Sequence, residues 1–388
     1  MSDFPRTHRV TIADVAREAG VSRTTVSHAL SGQGKVNAAT RDKVKEVAER
    51  LNYRPSVRAQ SLRSGRSQTL ALLSSMPAAV SAGPSQLGFF TELAMGCART
   101  ALLEGYVFVL APPNEETNPV DLLDIDGAIL LEPTLDDPLA EALRERGIPY
   151  VTIDGPGSGD AEQRARGAEQ RARAAEQQVR DTEQRVGGAS RGGAAGSKWS
   201  IDLHHQVTAQ LLLDHLVDQG ARQPALLVSR SRRGAQTAAR EVYAATAEAR
   251  GFAPLIAEAD ETSGEDGAYA ATQELLAAHP DIDALLAPID TFATGAVRAA
   301  EEAGRTIGDD LLIATRYDGL RARTSSPPLT AVDLGLEAIS KAAVEMLVAV
   351  LDGHSTANDE MTDSVPTASA GAPGPRLVAR ESTTGPSS

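Results

Sequence analysis

The chain has 388 residues, of which 23% are charged, and a formal net charge of −14. This length accommodates a small domain together with a larger two-lobed domain. No apolar run approaches the ~18 residues that a membrane-spanning helix needs, and the first residues contain no apolar signal region. We therefore expect a cytoplasmic protein with no membrane partner. Cys97 is the single cysteine, so no intramolecular disulfide can form, and we expect it to pack in the core.

The charge is distributed unevenly along the chain. Residues 1–66 contain 13 Lys and Arg against 6 Asp and Glu, a net charge of +7, which leaves −21 for the remainder. A basic segment on an acidic body is typical of a DNA-binding head, although a merely solvated basic surface is the alternative.

Residues 10–30 predict two short helices joined by a turn at Gly20, the pattern of a helix-turn-helix. Thr11 with Asp14 three residues later forms a capping box, and Gly20 suits a left-handed residue that ends the first helix. Ser22 can cap the second helix. The predicted inward-facing residues are Ile12, Val15, Ala16, Ala19, Val26 and Leu30.

The second helix is predicted to present hydrogen-bonding side chains outward. These are Arg23, Thr24, Thr25, Ser27 and His28. Such a face suits the major groove, where base edges present donors and acceptors. For His28, a solvated helix residue is the alternative.

A third helix is predicted to begin at Asn37, with Val44, Val47, Ala48 and Leu51 on its buried face. It ends before Pro55, which discourages a helical conformation in the residue that precedes it. The basic stretch 56–66 is too short to form a stable helix alone, so its folding can be coupled to DNA binding.

From residue 69 onward, short apolar runs alternate with helical segments. We predict a helix at 89–104 and strands at 70–73, 106–110, 127–131, 149–154, 225–228, 284–287 and 311–314. Continuous apolar strands that alternate with helices imply parallel sheets covered on both faces. Ligands of such sheets bind beyond the carboxyl ends of the strands.

Residues 159–198 differ from the flanking α/β pattern, because they contain an internal repeat followed by a glycine-rich run. An internal repeat at 161–186 places Ala, Val and Thr at the 3.5-residue period of a coiled coil, which predicts a helix of about 26 residues followed by a glycine-rich linker. A solvent-exposed helix and a subunit contact are both open interpretations. Residues 355–373, rich in Ser, Thr, Ala, Pro and Gly, predict a second long loop.

Three segments together resemble the DNA-binding head and hinge of the lactose-repressor (LacI/GalR) family of bacterial transcription regulators: TIADVAREAGVS, TVSHALSG and LNYRPSVRAQSLRSGRS. Later phrases, such as GIPYVTID at 147–154 and LVAREST at 377–383, resemble its effector domain.

The resemblance implies an α/β protein with a helix-turn-helix head at 1–55, a hinge helix at 56–66, and an effector-binding and dimerisation domain at 67–388. That domain is periplasmic-binding-protein-like, with parallel sheets in two lobes crossed by three connections. We expect one lobe at about 67–158 and 290–318, and the other at 199–289 and 319–388. The implied function is a homodimeric repressor on a near-palindromic double-stranded operator, controlled by a small molecule such as a carbohydrate.

The resemblance also implies roles for individual residues. Arg23, Thr24 and His28 occupy positions that contact bases. Positions assigned to phosphates, helix caps or other DNA contacts are Thr11, Ser22, Thr25, Ser27, Asn37 and Tyr53. Leu62 matches a leucine that wedges into the minor groove, and Ala59 lets two hinge helices approach closely. Packing of Leu62 on the body is the alternative.

For the effector, the resemblance implies Asp154, Asp318 and Arg240, whereas Asp290 is either an effector contact or structural. Departures from the family pattern lie at Ala239, Val242, Thr262 and Ile289. The pocket can therefore take a ligand unlike a hexose, or none.

No cofactor or metal site is predicted, because the doublet His204–His205 lacks partners at zinc spacing and fits a surface or helix-start position better. No phosphate-binding loop or hydrolase motif is present, so we expect no enzyme. A solute-binding protein of a transporter is the alternative function, and a regulator without effector response is another.

Overall fold

A computed structural model describes residues 10–31, 35–53, 66–76, 87–111, 117–134, 136–155, 199–231, 233–356 and 374–385. The chain forms two compact units, residues 1–67 and 68–388, which we call the head and the body. The predicted hinge residues Ala59 and Leu62 and the repeat at 161–186 lie outside the described residues, as does most of the loop at 355–373.

The head consists of α1 (Ile12–Ala19), α2 (Arg23–Ser31) and α3 (Ala38–Arg50). Gly20 ends α1 in the left-handed conformation, with φ of 68°, as the sequence predicts. The helices pack around one small core, whose fully buried members are Val15, Ala16, Ala19, Val26, Ala29, Val44, Val47 and Ala48. Leu30, predicted to face inward, is only half-buried, and Ala29 takes the buried position on α2.

The first sheet of the body is entirely parallel, with strands in the order β2-β1-β3-β4-β5. Its elements are β1 (Thr69–Ser74), α4 (Leu87–Leu103), β2 (Val107–Ala111), α5 (Pro119–Leu122), β3 (Gly127–Leu131), α6 (Pro138–Glu145), β4 (Tyr150–Ile153) and β5 (Ser200–Ile201). Every residue of β3 is buried, which agrees with a sheet covered on both faces.

The second sheet has six strands in the order β11-β10-β9-β8-β6-β7, and only β11 runs antiparallel to its neighbour. Its strands are β6 (Pro224–Ser229), β7 (Ile256–Ala259), β8 (Ala284–Ala287), β9 (Leu312–Tyr317), β10 (Thr330–Asp333) and β11 (Arg376–Val378). The helices of this part are α7 (His205–Asp218), α8 (Gly234–Arg250), α9 (Gly264–Ala278), α10 (Asp290–Glu302), α11 (Leu320–Thr324), α12 (Leu336–Thr356) and α13 (Glu381–Thr384).

The predicted division into lobes is wrong for three segments. Residues 290–318 belong to the second lobe, because β9 pairs with β8 and β10. Conversely, β5 pairs with β4, and α12 packs on α4 and the first sheet, so both belong to the first lobe. The chain therefore crosses to the second lobe after β5, returns before α12, and crosses again after α12.

The strands predicted from apolar runs are confirmed, and their ends differ from the predicted ones by three residues at most. The strands β5, β7, β10 and β11 were not predicted, since each has four residues or fewer and no continuous apolar run. In the described part of the chain, no helix is long and apolar enough to cross a membrane.

Candidate functional site

Helix α2 presents its first turn to solvent. Ser22 caps it as predicted: Oγ of Ser22 accepts a hydrogen bond from the backbone N of Thr25 at 3.0 Å and lies 2.8 Å from Oγ1 of Thr25. Arg23 and Thr24 are exposed, and Arg23 forms no ion pair within the described residues. These two side chains are therefore held by a fixed helix end with their polar groups outward.

The other predicted DNA contacts of α2 are less exposed. Thr25, Ser27 and His28 are half-buried, so they form the flank of the exposed surface rather than its centre. This arises because Val26 and Ala29 point into the head core between them.

The flanking helices of the head are capped as the sequence predicts. Oδ1 of Asn37 accepts from the backbone N of Thr40 at 2.7 Å at the start of α3. Both N and Oγ1 of Thr11 donate to Asp14, and these bonds lower the pKa of Asp14 to about 2. Tyr53 packs, half-buried, against the head core.

The body contains a cavity where the carboxyl ends of strands from both sheets meet. It is lined by Phe89, Glu132, Arg233, Ala235, Gln236, Pro288, Ile289, Asp290, Arg316 and Tyr317. Phe89 and Glu132 come from the first lobe, and the rest come from the second. The space open to a water-sized sphere is about 10 Å³, room for about one water molecule. Its position agrees with the rule for ligands of parallel sheets.

The backbone around the cavity adopts a conformation that ordinary residues avoid. Glu132, Asp154 and His204 have φ of 45°, 57° and 53°, in the left-handed region. Glu132 and Asp154 directly follow β3 and β4. Such conformations cost free energy, and they concentrate where surrounding structure fixes a side chain for function.

His205 joins the two lobes through a hydrogen-bonded chain. Its Nε2 lies 2.6 Å from Oδ2 of Asp154, and its Nδ1 lies 3.0 Å from Nη1 of Arg316. A guanidinium only donates, so Nδ1 accepts and we assign the ring proton to Nε2, which donates to Asp154. His205 is the first residue of α7, as predicted, but it is buried rather than on the surface.

A second polar contact also crosses between the lobes. Nε of Arg233 lies 3.7 Å from Oε2 of Glu132, while Nη2 of Arg233 bonds Glu261 within the second lobe. The hydroxyl of Tyr317 donates to Glu92 of α4. The ring of Tyr317 also meets Phe89 edge-on, with 5.7 Å between centroids. Among the described residues, the contacts that join the two lobes therefore include Arg233–Glu132, His205–Asp154, Tyr317–Glu92 and Tyr317–Phe89.

The two buried aspartates near the cavity differ in their ionisation. Burial opposes ionisation of Asp154, but the adjacent His205 and Arg316 outweigh it and lower the pKa of this carboxyl. Burial dominates at Asp290 and raises its pKa, even though Arg321 and the backbone N of Thr291 favour the charged form. Asp154 is therefore held as an anion, whereas Asp290 gains a proton more readily.

Glu132, Asp154 and His205 could bring three metal-ligating atoms within 4.8 Å of one another. The tautomer of His205 disfavours a cation there, because Nδ1 accepts from Arg316 and Nε2 carries the proton. A neutral imidazole would have to release Arg316 to offer Nε2 to a metal ion.

Of the predicted effector residues, only Asp290 lines the cavity, and Asp154 lies behind it against His205. Arg240 lies elsewhere: it bonds the carbonyl of Ser229 at 2.6 Å and Glu258 at 2.8 Å. Asp318 accepts from Arg380 at 2.6 Å, so both of these residues hold elements of the second lobe together.

The sequence interpretation missed Glu132, Arg233, His205 and Arg316. Two signals could have found some of them. Glu132 directly follows the apolar run of β3, and Arg316 is a charged residue inside the apolar strand β9. No comparable local signal marks Arg233 or His205.

Family models match two parts of the chain: "Bacterial regulatory proteins, lacI family" at residues 11–56, and "Periplasmic binding protein-like domain" at residues 213–383. The HTH-type transcriptional regulator CelR of Thermobifida fusca is 27% identical over 363 residues, which are 90% of this chain and 94% of that protein. Catabolite control protein A of Staphylococcus xylosus is 27% identical, over 87% of this chain and 91% of that one.

Solved structures agree with this similarity. A complex of the regulator CelR with cellobiose is 25% identical with a TM-score of 0.61, covering 96% of this chain and 100% of that one. A lac repressor dimer bound to operator and the anti-inducer ONPF has the same fold, with a TM-score of 0.71 at 21% identity, covering 97% and 99%. The chain belongs to the LacI family of bacterial regulatory proteins.

Proposed function

We propose that this chain is a transcription repressor that binds a near-palindromic operator as a homodimer and whose affinity for DNA depends on a small molecule in the cavity of the body. The observation that carries the proposal is the first turn of α2, where Ser22 fixes the helix end and Arg23 and Thr24 face solvent. Arginine in this place can bond O6 and N7 of guanine together. The function as a DNA-binding regulator follows from the family.

An exposed apolar surface on the first lobe supports a dimer. On α4, Leu102 and Leu103 follow Met95 by seven and eight residues, about two helical turns. The three side chains are 66% (Met95), 73% (Leu102) and 81% (Leu103) exposed. Val107 and Leu110 of β2, the edge strand of the first sheet, are also exposed. An apolar edge strand favours association unless it is covered. A second copy of this surface would bury it, and two heads related by a two-fold axis read inverted half-sites.

The path of the chain supports coupling between the ligand and the DNA. The backbone N of Gln68, the first residue of the body, donates to Oδ2 of Asp126 at 2.8 Å and so fixes the start of the body to the first lobe. The polar contacts across the cleft, such as Arg233–Glu132 and His205–Asp154, join this lobe to the second one. A ligand that changes these contacts would change the arrangement of the two lobes, which gives the cavity a physical route to the first lobe, where the body begins.

The ligand class follows by analogy from relatives. CelR is crystallised with cellobiose, which supports a small metabolite such as a carbohydrate for this cavity. Members of the family are transcription regulators, and we propose no catalytic activity and a cytoplasmic location.

The experiment is selection of genomic fragments by the purified full chain at low salt, followed by sequencing. The proposal predicts enrichment of one inverted repeat. Recovery of fragments without a shared sequence would contradict it, because phosphate contacts alone do not select sequence.

A further inference from the structure

The two walls of the cleft attract each other through their own side chains. Glu132 and Asp154 follow β3 and β4 of the first lobe, whereas Arg233 and Arg316 belong to the second lobe. Nε of Arg233 lies 3.7 Å from Oε2 of Glu132, and the charge of Arg316 interacts with both carboxylates. The two guanidiniums repel one another, and the carboxylates of the opposite wall offset that repulsion.

His205 adds a hydrogen bond to this attraction. The residue begins α7, which packs on α8 and β9 of the second lobe, and its Nε2 lies 2.6 Å from Oδ2 of Asp154 in the first lobe. The two side chains are only 7% and 11% exposed. Separation of the lobes would leave a buried donor and a buried carboxylate without this bond, which is unfavourable unless another group replaces it.

Gly234, the first residue of α8, permits the close approach of the lobes at this point. A Cβ atom on Gly234 would lie 2.6 Å from Oδ2 of Asp154 and 3.0 Å from Cδ2 of His205. Cβ atoms do not approach other heavy atoms so closely, so any side chain here would displace the carboxylate or the ring. The bond between His205 and Asp154 therefore depends on a glycine at the start of α8.

These contacts lie at the cavity itself. Glu132, Arg233 and Arg316 line it, and it has room for about one water molecule. A ligand larger than a water molecule therefore needs these side chains to move. A carboxylate that holds a guanidinium of the opposite wall is also engaged, so closure by side chains and entry of a ligand compete with each other.

We propose that the contacts Arg233–Glu132 and His205–Asp154 form a latch that closes the cleft by itself, and that the ligand regulates the protein by displacing this latch. This inference rests on the proposed function, because it assigns the regulation of the same cavity. A latch that must open reduces the apparent affinity of every ligand by the fraction of molecules that are open. The stability of the latch thereby sets the ligand concentration at which DNA binding changes.

The first test is hydrogen–deuterium exchange of the full chain, which needs no ligand. Gly234→Ala should speed exchange of peptides that cover residues 152–155 and 204–208 at least about 5-fold, because the added methyl group keeps the lobes apart at the latch. Glu132→Gln should also speed it, since it removes the anion that holds Arg233. Unchanged exchange in both variants would overturn the inference.

Two matched variants serve as controls. Gly88→Ala adds a methyl group that faces the same cleft from α4, but its Cβ would lie 3.9 Å from the nearest atoms of the second lobe, an ordinary contact. Glu258→Gln removes an anion that pairs with Arg240 inside the second lobe. Exchange around the latch should remain unchanged in both. Equal acceleration in the controls would overturn the inference, and thermal unfolding of each variant shows whether it has retained its fold.

Operator binding by the same preparations separates the two proposals. Gly234→Ala and Glu132→Gln should change affinity for the selected inverted repeat at least about 5-fold and in the same direction, and the two controls should not. Faster exchange with unchanged operator affinity overturns the regulatory role of the latch. Specific operator binding with unchanged exchange overturns this inference alone. Faster exchange in a protein that selects no inverted repeat overturns the proposed function and leaves the closed cleft standing.

Discussion

His205 accepts a hydrogen bond from Arg316, with 3.0 Å between Nδ1 and Nη1. The direction of this bond places the ring proton on Nε2, which faces Asp154 at 2.6 Å. The histidine therefore connects a buried cation of the second lobe to a buried anion of the first, and it orients Arg316 at the wall of the cavity.

His205→Ala should lower the free energy of unfolding by about 2–4 kcal/mol, because it leaves two buried charges without their shared partner. His205→Gln should cost less, since a glutamine amide can accept from Arg316 and donate to Asp154. Denaturant unfolding of the three proteins measures this. Equal losses for both variants would show that the side-chain bridge contributes nothing beyond packing.

Asp290→Asn should raise the free energy of unfolding at neutral pH by roughly 1 kcal/mol, because it removes a charge whose ionisation is opposed by burial. The pKa of Asp290 is raised in the folded state, so its contribution to stability is present below the ordinary aspartate pKa of about 3.9 and is lost as pH rises through the folded value. The gain from asparagine should therefore be full at neutral pH and disappear in acid. Chemical unfolding across this range measures it, and a gain that does not change with pH would contradict it.

Arg23→Ala should relax specificity at one position of the operator, with a loss of about 1–3 kcal/mol in discrimination there. Arg50, an exposed head arginine paired with Glu18, provides the matched control as Arg50→Ala. Binding to an operator and its single-base variants measures both. Equal weakening on all sequences would assign Arg23 to a phosphate instead.

Leu103→Glu should weaken dimerisation at least about 10-fold, because it places an unpaired charge on the exposed apolar surface of the first lobe. Leu320→Glu is the control, since Leu320 is 76% exposed on the second lobe. Sedimentation analysis across protein concentration distinguishes them. A dimer that tolerates Leu103→Glu but not Leu320→Glu would place the interface on the second lobe.

Leu62 lies outside the described residues, and its role as a minor-groove wedge stays a prediction. Leu62→Ala should weaken operator binding while the body remains folded, because an apolar wedge contributes only on kinked DNA. Operator titration together with thermal unfolding measures this, and unchanged affinity would remove the wedge.

The features that the sequence predicts best depend on neighbouring residues. Thr11, Ser22 and Asn37 cap their helices because each bonds a residue three positions away, and Gly20 ends α1 through its own φ. Apolar runs such as those of β3 and β8 mark strands for the same reason. Helix caps, helix ends and apolar strands can therefore be predicted from a few consecutive residues.

The lobes and the cavity depend on distant pairings, and there the sequence interpretation fails. Residues 312–317 belong to the second lobe only because β9 pairs with β8 and β10. Similarly, His205 and Arg316 are 111 positions apart and meet only when α7 packs near β9. Resemblance to a family places Arg240 in the site, but its contacts with Ser229 and Glu258 hold it elsewhere.

The most direct measurement is the ratio of affinities of the full chain for the selected inverted repeat and for a scrambled duplex of the same composition, both at physiological salt. A sequence-specific regulator should prefer the inverted repeat by about 10³ or more. A ratio near one would contradict the account, because it would reduce the head to a basic surface that binds phosphates without reading bases.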